Sequence, residues 1–308
     1  MKPVKDFDIK STDSEELIKQ MKESGGFTAK KLGVATDIIK EMVTDKNAVN
    51  FLSFPADIIA TGTRGVIKEM IKRKWFSIVI TTCGTLDHDI ARSYKDYYHG
   101  EFEMDDAELH KKDIHRLGNV LVPIDSYGMI LEEKVGQFLK EIYEEGKREL
   151  ATYELCWEFG KRISNENSIL HWCWKNKIPM IIPGITDGSI GYQIWMFRQK
   201  HKDFKIDVFK DEQLLSDTVW NTKKSNALIM GGGISKHHVI WHSQFSGGLD
   251  RAVYLTTAQE YDGSLSGAQT REAISWGKLK ENASHTNVYG DVTILLPIIF
   301  SALSKQIK

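Results

Sequence analysis

The sequence predicts an α/β protein in which a parallel sheet carries helices on both faces, folded as a single large domain. The first observation is a set of short apolar runs rich in β-branched residues, as strands buried on both faces require. These runs are "AVNFLSF" (48–54), "FSIVITT" (76–82), "NVLVPI" (119–124), "IPMIIP" (178–183), "NALIMG" (226–231) and "RAVYLTT" (251–257). The second observation is that amphipathic segments separate the runs, which is typical of a doubly wound sheet.

Residues 129–146 illustrate the helices between the strands. One stripe of this segment is apolar, and Gly146 can end the helix; the stripe consists of Ile130, Leu131, Val135, Phe138, Leu139 and Ile142. No internal repeat and no Pro/Gly linker divides the chain. We therefore expect residues 1–25 to form an N-terminal arm and residues 26–308 to form the catalytic domain.

One polar stretch interrupts the alternation at residues 98–119. Its histidines and aspartates could be interpreted as metal ligands, but such residues are usually solvated. We expect an exposed excursion with no metal.

Composition and charge exclude several classes of function. The 41 basic and 42 acidic side chains among 308 residues nearly cancel, so the sequence shows no footprint for nucleic acid or a membrane surface. The three cysteines form no CxxC motif, which argues against a disulfide framework or a zinc ribbon. The N-terminus lacks an apolar leader, and the longest apolar run, "VTILLPIIF" (292–300), is too short to span a bilayer. The expected location is the cytoplasm.

Ligands of a parallel sheet bind outside the carboxyl ends of its strands, so the turns that follow the strands are the candidate site. Five of these turns are polar or rich in glycine: "ADIIATGTRG" (56–65), "TTCGTLDHD" (81–89), "GITDGSIG" (184–191), "GGGISKHH" (231–238) and "TAQEYDGSLSGA" (257–268). The turn at 231–238 is the best candidate for binding a pyrophosphate, although Lys236 stands where a strict GxGxxG has its third glycine. Tight turns without a ligand remain the alternative.

The histidines and one cysteine near these turns are further candidates for metal-binding or reactive groups. His238 and His242 are four residues apart on a predicted helix, next to His237, but no third ligand follows at a suitable spacing. No metal is therefore expected. Cys83 follows a strand, yet no histidine pattern that would activate it is recognisable, so a packed thiol is expected.

The stretch "TREAISWGKLKEN" (270–282) holds the most reactive candidate, Lys278. Thr270 can cap a short helix and Gly277 can end it, which places Glu272 and Trp276 on one face just before the lysine. An ammonium, a carboxylate and an indole could then meet. A lysine nucleophile needs desolvation or a neighbouring cation, and the residues alone leave a surface lysine on a strand as the alternative.

The run "AQEYDGSLSGAQTREAISWGK" (258–278), together with "GGGISKHH" and "PGITDGSIG" (183–191), closely resembles the deoxyhypusine synthase family. The similarity extends from about residue 25 to the C-terminal helix, and "TTCGTLDHD" and "RLGNVLVP" (116–123) resemble its archaeal branch. The resemblance implies a Rossmann-like fold that binds NAD. It also implies transfer of the aminobutyl group of spermidine to one lysine of the translation initiation factor 5A precursor, by a cytoplasmic homotetramer with sites between subunits.

The resemblance also implies roles for individual residues. Lys278 matches the lysine that forms an imine with the transferred group, and His237 matches the histidine beside the polyamine. The positions that match the polyamine contacts are Asp87, His88, Ser264, Glu272 and Trp276. The positions that match the NAD contacts are Thr82, Cys83, Gly84, Asp187, Gly232, Thr257, Ala258 and Asp291.

The chain departs from the family pattern at several positions. Where eukaryotic members carry acidic residues around the polyamine, this chain has His88, Tyr192 and Leu265, and Ala56 and Ala60 replace serines of the NAD turn. The polyamine donor is therefore the most open question. A homospermidine synthase-like transferase and a silent NAD-binding relative are the alternatives, and retention of the lysine with its carboxylate and indole disfavours the silent one.

Overall fold

The computed structural model describes residues 1–10 and 13–307, which contain the following elements. The helices are α1 (Ser14–Ser24), α2 (Phe27–Thr44), α3 (Thr63–Lys72), α4 (Cys83–Tyr94), α5 (Asp106–Lys111), α6 (Gly128–Glu144), α7 (Thr152–Arg162), α8 (Ile169–Asn176), α9 (Ser189–Lys200), α10 (Val208–Asn221), α11 (Gly233–Gln244), α12 (Thr270–Ser275) and α13 (Val292–Ser304). The strands are β1 (Val49–Ser53), β2 (Ile78–Ile80), β3 (Tyr98–His99), β4 (Ile114–Leu117), β5 (Val120–Pro123), β6 (Glu149–Leu150), β7 (Met180–Ile181), β8 (Lys205–Ile206), β9 (Ser225–Met230), β10 (Leu249–Thr256) and β11 (Leu279–Tyr289).

The chain forms two compact units, and each is assembled from separate stretches of sequence. The first unit comprises residues 1–55, 75–80 and 214 onward, and the second comprises residues 56–74 and 81–213. The chain passes between the units after residues 55, 74, 80 and 213, the last of which lies within α10, so no linker composition marks the passages. The boundary of the N-terminal arm stays a prediction, and residues 11 and 12 of that arm lie outside the described residues.

The first unit is built on parallel strands in the order β11-β10-β9-β1-β2. Every strand pair of this set for which the register is given is parallel, with Leu52 opposite Leu228 and Val253 opposite Leu228. Fully buried residues fill β1, β2 and β9 almost without interruption, which confirms the predicted covered sheet. The sequence did not predict β11, because only its first residue and two near its end are fully buried.

Helices cover the strands of the first unit. Helix α2 packs on β9, β10 and β11 and contacts α1 and α13, while α11 contacts β1, β2, β9, β10 and β11. The side of α2 that packs inward carries Ala35, Ile38, Ile39, Met42 and Val43, all of which are buried. The α/β class with helices flanking a parallel sheet is therefore confirmed.

The second unit contains the helices of the middle of the chain and an antiparallel sheet in the order β3-β5-β4. The run "NVLVPI" was predicted as a strand of the parallel sheet, and this prediction is wrong, because β5 pairs antiparallel with β3 and β4. A short apolar run fits either kind of sheet, so the run alone could not decide. The helix predicted at 129–146 is confirmed as α6, with the whole apolar stripe buried.

The polar stretch at 98–119 is mostly exposed, as expected, but it is folded. It contains β3, α5 and β4, and Asp105 caps α5 by accepting hydrogen bonds from two backbone N–H groups. Arg116 binds Asp106 through two hydrogen bonds of 2.6 Å. No helix within the described residues is both long and apolar enough to cross a membrane.

Candidate active site

Lys278 lies in the first unit, at the turn between α12 and β11. Gly277 adopts the left-handed φ of 67° that the sequence predicted and so ends the helix. The backbone N–H of Lys278 donates to the carbonyl of Ala273 over 2.9 Å, and its own carbonyl accepts from Leu249. This anchored turn buries the lysine, whose exposed fraction is 9%. The alternative of a surface lysine on a strand is therefore excluded.

The start of α12 differs from the prediction that Thr270 caps it. Thr270 is the first helical residue, and Gln269 occupies the capping position without a side-chain cap. The Thr270 hydroxyl instead lies 2.7 Å from Nδ1 of His285, and its N–H donates to Asn287. These bonds to β11 take the hydroxyl away from the helix end.

The lysine, the indole and the carboxylate share one cavity of about 150 Å³. Nζ of Lys278 lies 5.1 Å from the centre of the Trp276 ring, within the range of a cation–π contact. Glu272 lines the same cavity, together with Tyr254 and Leu265. The predicted meeting of the three groups is thus confirmed within one unit of the chain.

His237 lies on the first turns of α11, where its ring stacks on Trp241 with centroids 5.9 Å apart. Partial burial lowers the pKa of His237, and the charge of Lys278 lowers it further. The imidazole is therefore mostly neutral at pH 7 and can accept a proton. The role of His237 beside the polyamine stays a prediction.

Lys236 is a residue of this cavity that sequence reasoning missed. It is 1% exposed, and its Nζ donates hydrogen bonds of 2.7 Å to the carbonyls of Leu265 and Ala268. Burial lowers its pKa to about 8, and the carboxylate of Glu272 opposes this shift. The one signal in the sequence is the position of Lys236 beside His237 in the glycine-rich turn. In the motif pattern, however, this lysine indicates only that the third glycine is absent.

The predicted NAD contacts of the first unit lie at the carboxyl ends of β9, β10 and β11. The register of the parallel strands places these ends side by side, because Leu255 pairs with Met230 and Thr256 pairs with Tyr289. Gly232 follows β9, and a Cβ there would lie 2.3 Å from Cα of Ser266, so only glycine fits. The predicted residues Thr257, Ala258 and Asp291 follow the other two strands, and Ser264 lies in the loop beyond them.

Asp291 and Ser264 also have contacts within the chain. Asp291 caps α13, where its Oδ1 accepts from the N–H of Thr293 over 2.8 Å. Ser264 is exposed, and its N–H donates to Asp262 over 2.7 Å. Contacts of these two residues with NAD and polyamine stay predictions.

The second unit brings together another part of the predicted NAD set. Thr82 precedes α4, and Cys83 and Gly84 form its first turn. Gly188 has a φ of 151°, and a Cβ there would lie 2.8 Å from Sγ of Cys83, so the turn that contains Asp187 packs on the start of α4. Burial, together with the nearby charge of Asp87, raises the pKa of Cys83 to about 12. A thiol that stays protonated agrees with the predicted packing role.

Gly84 makes a second close approach in this unit. A Cβ at Gly84 would lie 2.9 Å from Cβ of Ala56, one of the two alanines that replace serines of the family. The missing side chain of Gly84 therefore lets the first turn of α4 approach the turn that contains Ala56.

Asp87 and His88 are polar but largely buried in the second unit. The Asp87 carboxylate accepts hydrogen bonds from Ser189 N–H, Ile190 N–H and the hydroxyl of Tyr127, at 2.8–2.9 Å. It thereby caps the start of α9, so its contact with a polyamine stays a prediction with a competing structural role. Burial, together with the charge of Arg92, lowers the pKa of His88 to about 4, so His88 is neutral at pH 7.

Three further residues singled out in the sequence, Tyr192, His238 and His242, lie on helices α9 and α11. Tyr192 is 59% exposed on α9, and its ring lies 5.3 Å from that of Trp195. The rings of His238 and His242 lie 4.8 Å apart on α11. The expectation that no metal binds stays a prediction.

Comparison with known proteins identifies the family. A family model described as deoxyhypusine synthase matches residues 16–303. A probable deoxyhypusine synthase from Picrophilus torridus is 57% identical over 98% of this chain and 97% of its own. A probable deoxyhypusine synthase from Ignicoccus hospitalis is 51% identical over 99% and 97%. A crystal structure from Entamoeba histolytica, provisionally described as a deoxyhypusine synthase, shares the fold with a TM-score of 0.71 at 18% identity, over 99% of this chain and 98% of that one. By the extent of these matches and the motifs around Lys278, the chain belongs to the deoxyhypusine synthase family.

Proposed function

We propose that the chain transfers the 4-aminobutyl group of spermidine to one lysine of the translation initiation factor 5A precursor, with NAD as cofactor. The observation that carries the proposal is the convergence of Lys278, Glu272 and Trp276 on one cavity. Membership of the deoxyhypusine synthase family supports it. The same proposal makes the chain a cytoplasmic enzyme without a nucleic-acid or membrane partner.

The size of the cavity suits the group that is transferred. Its volume is about 150 Å³, and apolar cavities of that size hold a benzene molecule in other proteins. An aminobutyl chain has four carbons and one nitrogen, so it fits with its methylene groups against Leu265, Tyr254 and Trp276. Glu272 then supplies the negative charge that an ammonium group requires.

The residues of the cavity divide the chemistry among them. NAD, when bound, takes a hydride from spermidine and returns it at the end of the reaction. Lys278 adds through its unprotonated amine to the carbon that lost the hydride, and 1,3-diaminopropane leaves. The amine of the acceptor lysine then displaces Lys278, and the neutral imidazole of His237 can take up a proton during these exchanges.

The residues at the carboxyl ends of the strands fit a dinucleotide. Gly232 directly precedes α11, whose N-terminus supplies partial positive charge for a phosphate. In this proposal Gly232, Thr257, Ala258 and Asp291 would hold NAD in the first unit. Thr82, Cys83, Gly84 and Asp187 would do so in the second.

The experiment that tests the proposal offers two acceptors to the purified chain with NAD and labelled spermidine. One acceptor is the factor precursor, and the other is a free diamine such as putrescine. We expect label on the precursor lysine and little homospermidine. Preferred labelling of the diamine would establish the homospermidine synthase-like alternative, and no transfer to either would contradict the proposal.

The first prediction concerns Leu265, which lines the cavity where eukaryotic relatives carry an acid. We expect Leu265→Asp to lower the Michaelis constant for spermidine roughly fivefold, since a new carboxylate near an ammonium contributes about 1 kcal/mol or more. Leu265→Asn is the control of equal shape without charge and should change the constant less. We also expect the wild type to accept agmatine or homospermidine more readily than an acid-rich relative does. Strict selectivity for spermidine, together with an unchanged constant in Leu265→Asp, would show that this position does not face the polyamine.

The second prediction concerns assembly, which we propose is a homotetramer with each active site between two subunits. Large apolar side chains are exposed on α11 and at its C-cap, where Ile234, Trp241 and Phe245 are 43–47% exposed. A partner subunit would cover such a face. If the NAD turn and the lysine segment of one site come from different chains, mixing inactive Asp187→Ala with inactive Lys278→Ala should restore some activity. Lack of recovery after proven subunit exchange would argue for sites within single chains.

A further inference from the structure

A buried lysine in a cavity that binds a polycation requires an explanation. Lys236 lines the same cavity as Lys278 and Glu272 and is 1% exposed. A buried ammonium is costly unless it is paired and hydrogen-bonded, and a second cation repels a polyamine. Its presence in this cavity therefore indicates a task other than binding the substrate directly.

The hydrogen bonds of Lys236 show what the ammonium holds. Nζ donates to the carbonyls of Leu265 and Ala268 over 2.7 Å each, and it lies 4.2 Å from the centre of the Tyr254 ring. These contacts occupy the three donors of an ammonium group. Lys236 is thus fully engaged by the protein and is not a second nucleophile.

Residues 264–268 form the wall that these bonds fasten. They lie outside any helix or strand, between β10 and α12. Other contacts also hold them: the Thr256 hydroxyl donates to the carbonyl of Ser266 over 3.2 Å, Ser266 lies close to Gly232, and the N–H of Ser264 donates to Asp262. Within the segment, the N–H groups of Gly267 and Ala268 donate to the carbonyl of Ser264 over 3.2 Å. The two bonds from Lys236 are the hydrogen bonds that tie this irregular segment to the side chain of a residue on α11.

We propose that Lys236 is a positioning residue whose ammonium fixes residues 264–268 as one wall of the Lys278 cavity. By holding this wall, Lys236 strengthens binding of the polyamine. It takes no direct part in the chemistry at Lys278. Only the predicted change in the Michaelis constant for spermidine rests on the proposed aminobutyl transfer. The fixed wall itself can be measured without turnover.

The protonation state of Lys236 makes the wall sensitive to pH. Burial lowers its pKa to about 8, against the opposing effect of Glu272. The titratable groups that face it are Glu272 of α12, Lys278 after that helix and Tyr254 of β10. Below pH 8 the hydrogen bonds to the carbonyls are charge-assisted and strong, and above it they join a neutral amine. Affinity for the polyamine should therefore fall as the pH rises through 8.

The experiment compares Lys236→Met with the wild type and with Lys280→Met, which removes a lysine that is bound to Asp250 on β10. We expect amide hydrogen exchange in residues 264–268 to be at least about tenfold faster in Lys236→Met alone. The Michaelis constant for spermidine should rise at least about tenfold while NAD binding stays within about twofold. Unchanged exchange would refute the fixed wall, and faster exchange with an unchanged Michaelis constant would refute its role in polyamine capture. Absence of transfer in the wild type would contradict the proposed function and leave the exchange result to decide on the wall.

If Lys236→Met does not fold, a second variant tests the proposal. Lys236→Arg keeps a charge at every pH of the assay. The Michaelis constant for spermidine should rise above pH 8 in the wild type and should change less with pH in Lys236→Arg. Spermidine itself titrates equally in both assays, so the difference between the two profiles reports on residue 236. Identical pH profiles in the two proteins would contradict the proposal.

Discussion

Lys278→Arg is expected to abolish aminobutyl transfer, with a rate at least about a thousandfold lower, the scale on which loss of a nucleophile acts in other enzymes. The guanidinium keeps the positive charge but does not lose its proton, so it cannot add to carbon. The measurement is transfer of label from spermidine to the factor precursor under saturating conditions.

Lys280→Arg is the matched control, because Lys280 lies two residues further along, pairs with Asp250 and does not line the cavity. It should keep activity within about twofold. Spermidine-dependent reduction of NAD by Lys278→Arg, without transfer, would agree with the proposed division of roles. Full transfer by this variant would show that another group carries the aminobutyl chain.

Glu272→Gln is expected to raise the Michaelis constant for spermidine about tenfold with a smaller effect on the maximal rate. A charge-assisted hydrogen bond contributes roughly 1.5–3 kcal/mol, and each 1.4 kcal/mol corresponds to a factor of ten. Glu272 is exposed before the polyamine binds, so water screens its charge and the lower end of that range applies. Steady-state kinetics with varied spermidine at saturating NAD provide the measurement.

The exposed carboxylate of Glu281 on β11 offers a control for this change. Glu281→Gln removes the same charge from the same unit but not from the cavity, so its Michaelis constant should equal that of the wild type. An equal rise in both variants would point to a general electrostatic effect. A wild-type constant in Glu272→Gln would remove this carboxylate from the polyamine site.

Much of the parallel sheet could be predicted, because strands buried on both faces leave continuous apolar runs. Strands β1, β9 and β10 each fall within or close to a predicted run. Strand β11 could not be found in this way, since Lys280, Glu281 and Asn282 interrupt its apolar pattern. The run at 119–124 was assigned to the wrong sheet, because its partners come from the polar stretch that had been expected to lack strands.

The candidate site was predictable where its residues are close in sequence. Glu272, Trp276 and Lys278 meet through one short helix and one left-handed glycine, which local rules describe well. Lys236 was not predictable, since its burial depends on carbonyls of Leu265 and Ala268, about thirty residues later in the chain. A lysine at the start of a helix otherwise indicates a solvated side chain.

The capping role of Asp87 could not be predicted from the sequence for the same reason. Its partners are two backbone N–H groups at the start of α9, about one hundred residues away, and the hydroxyl of Tyr127. No local pattern reveals such a contact. Its predicted contact with the polyamine therefore needs a separate measurement, such as the spermidine dependence of Asp87→Asn.

The most direct measurement of the role of Lys278 is chemical trapping of the bound aminobutyl group. The protein is incubated with NAD and spermidine, reduced with borohydride, digested and analysed by peptide mass spectrometry. We expect an aminobutyl adduct on Lys278 that requires both NAD and spermidine and that is absent from Lys278→Arg. An adduct on a different lysine, or no adduct on any peptide while transfer to the precursor proceeds, would contradict covalent catalysis by Lys278.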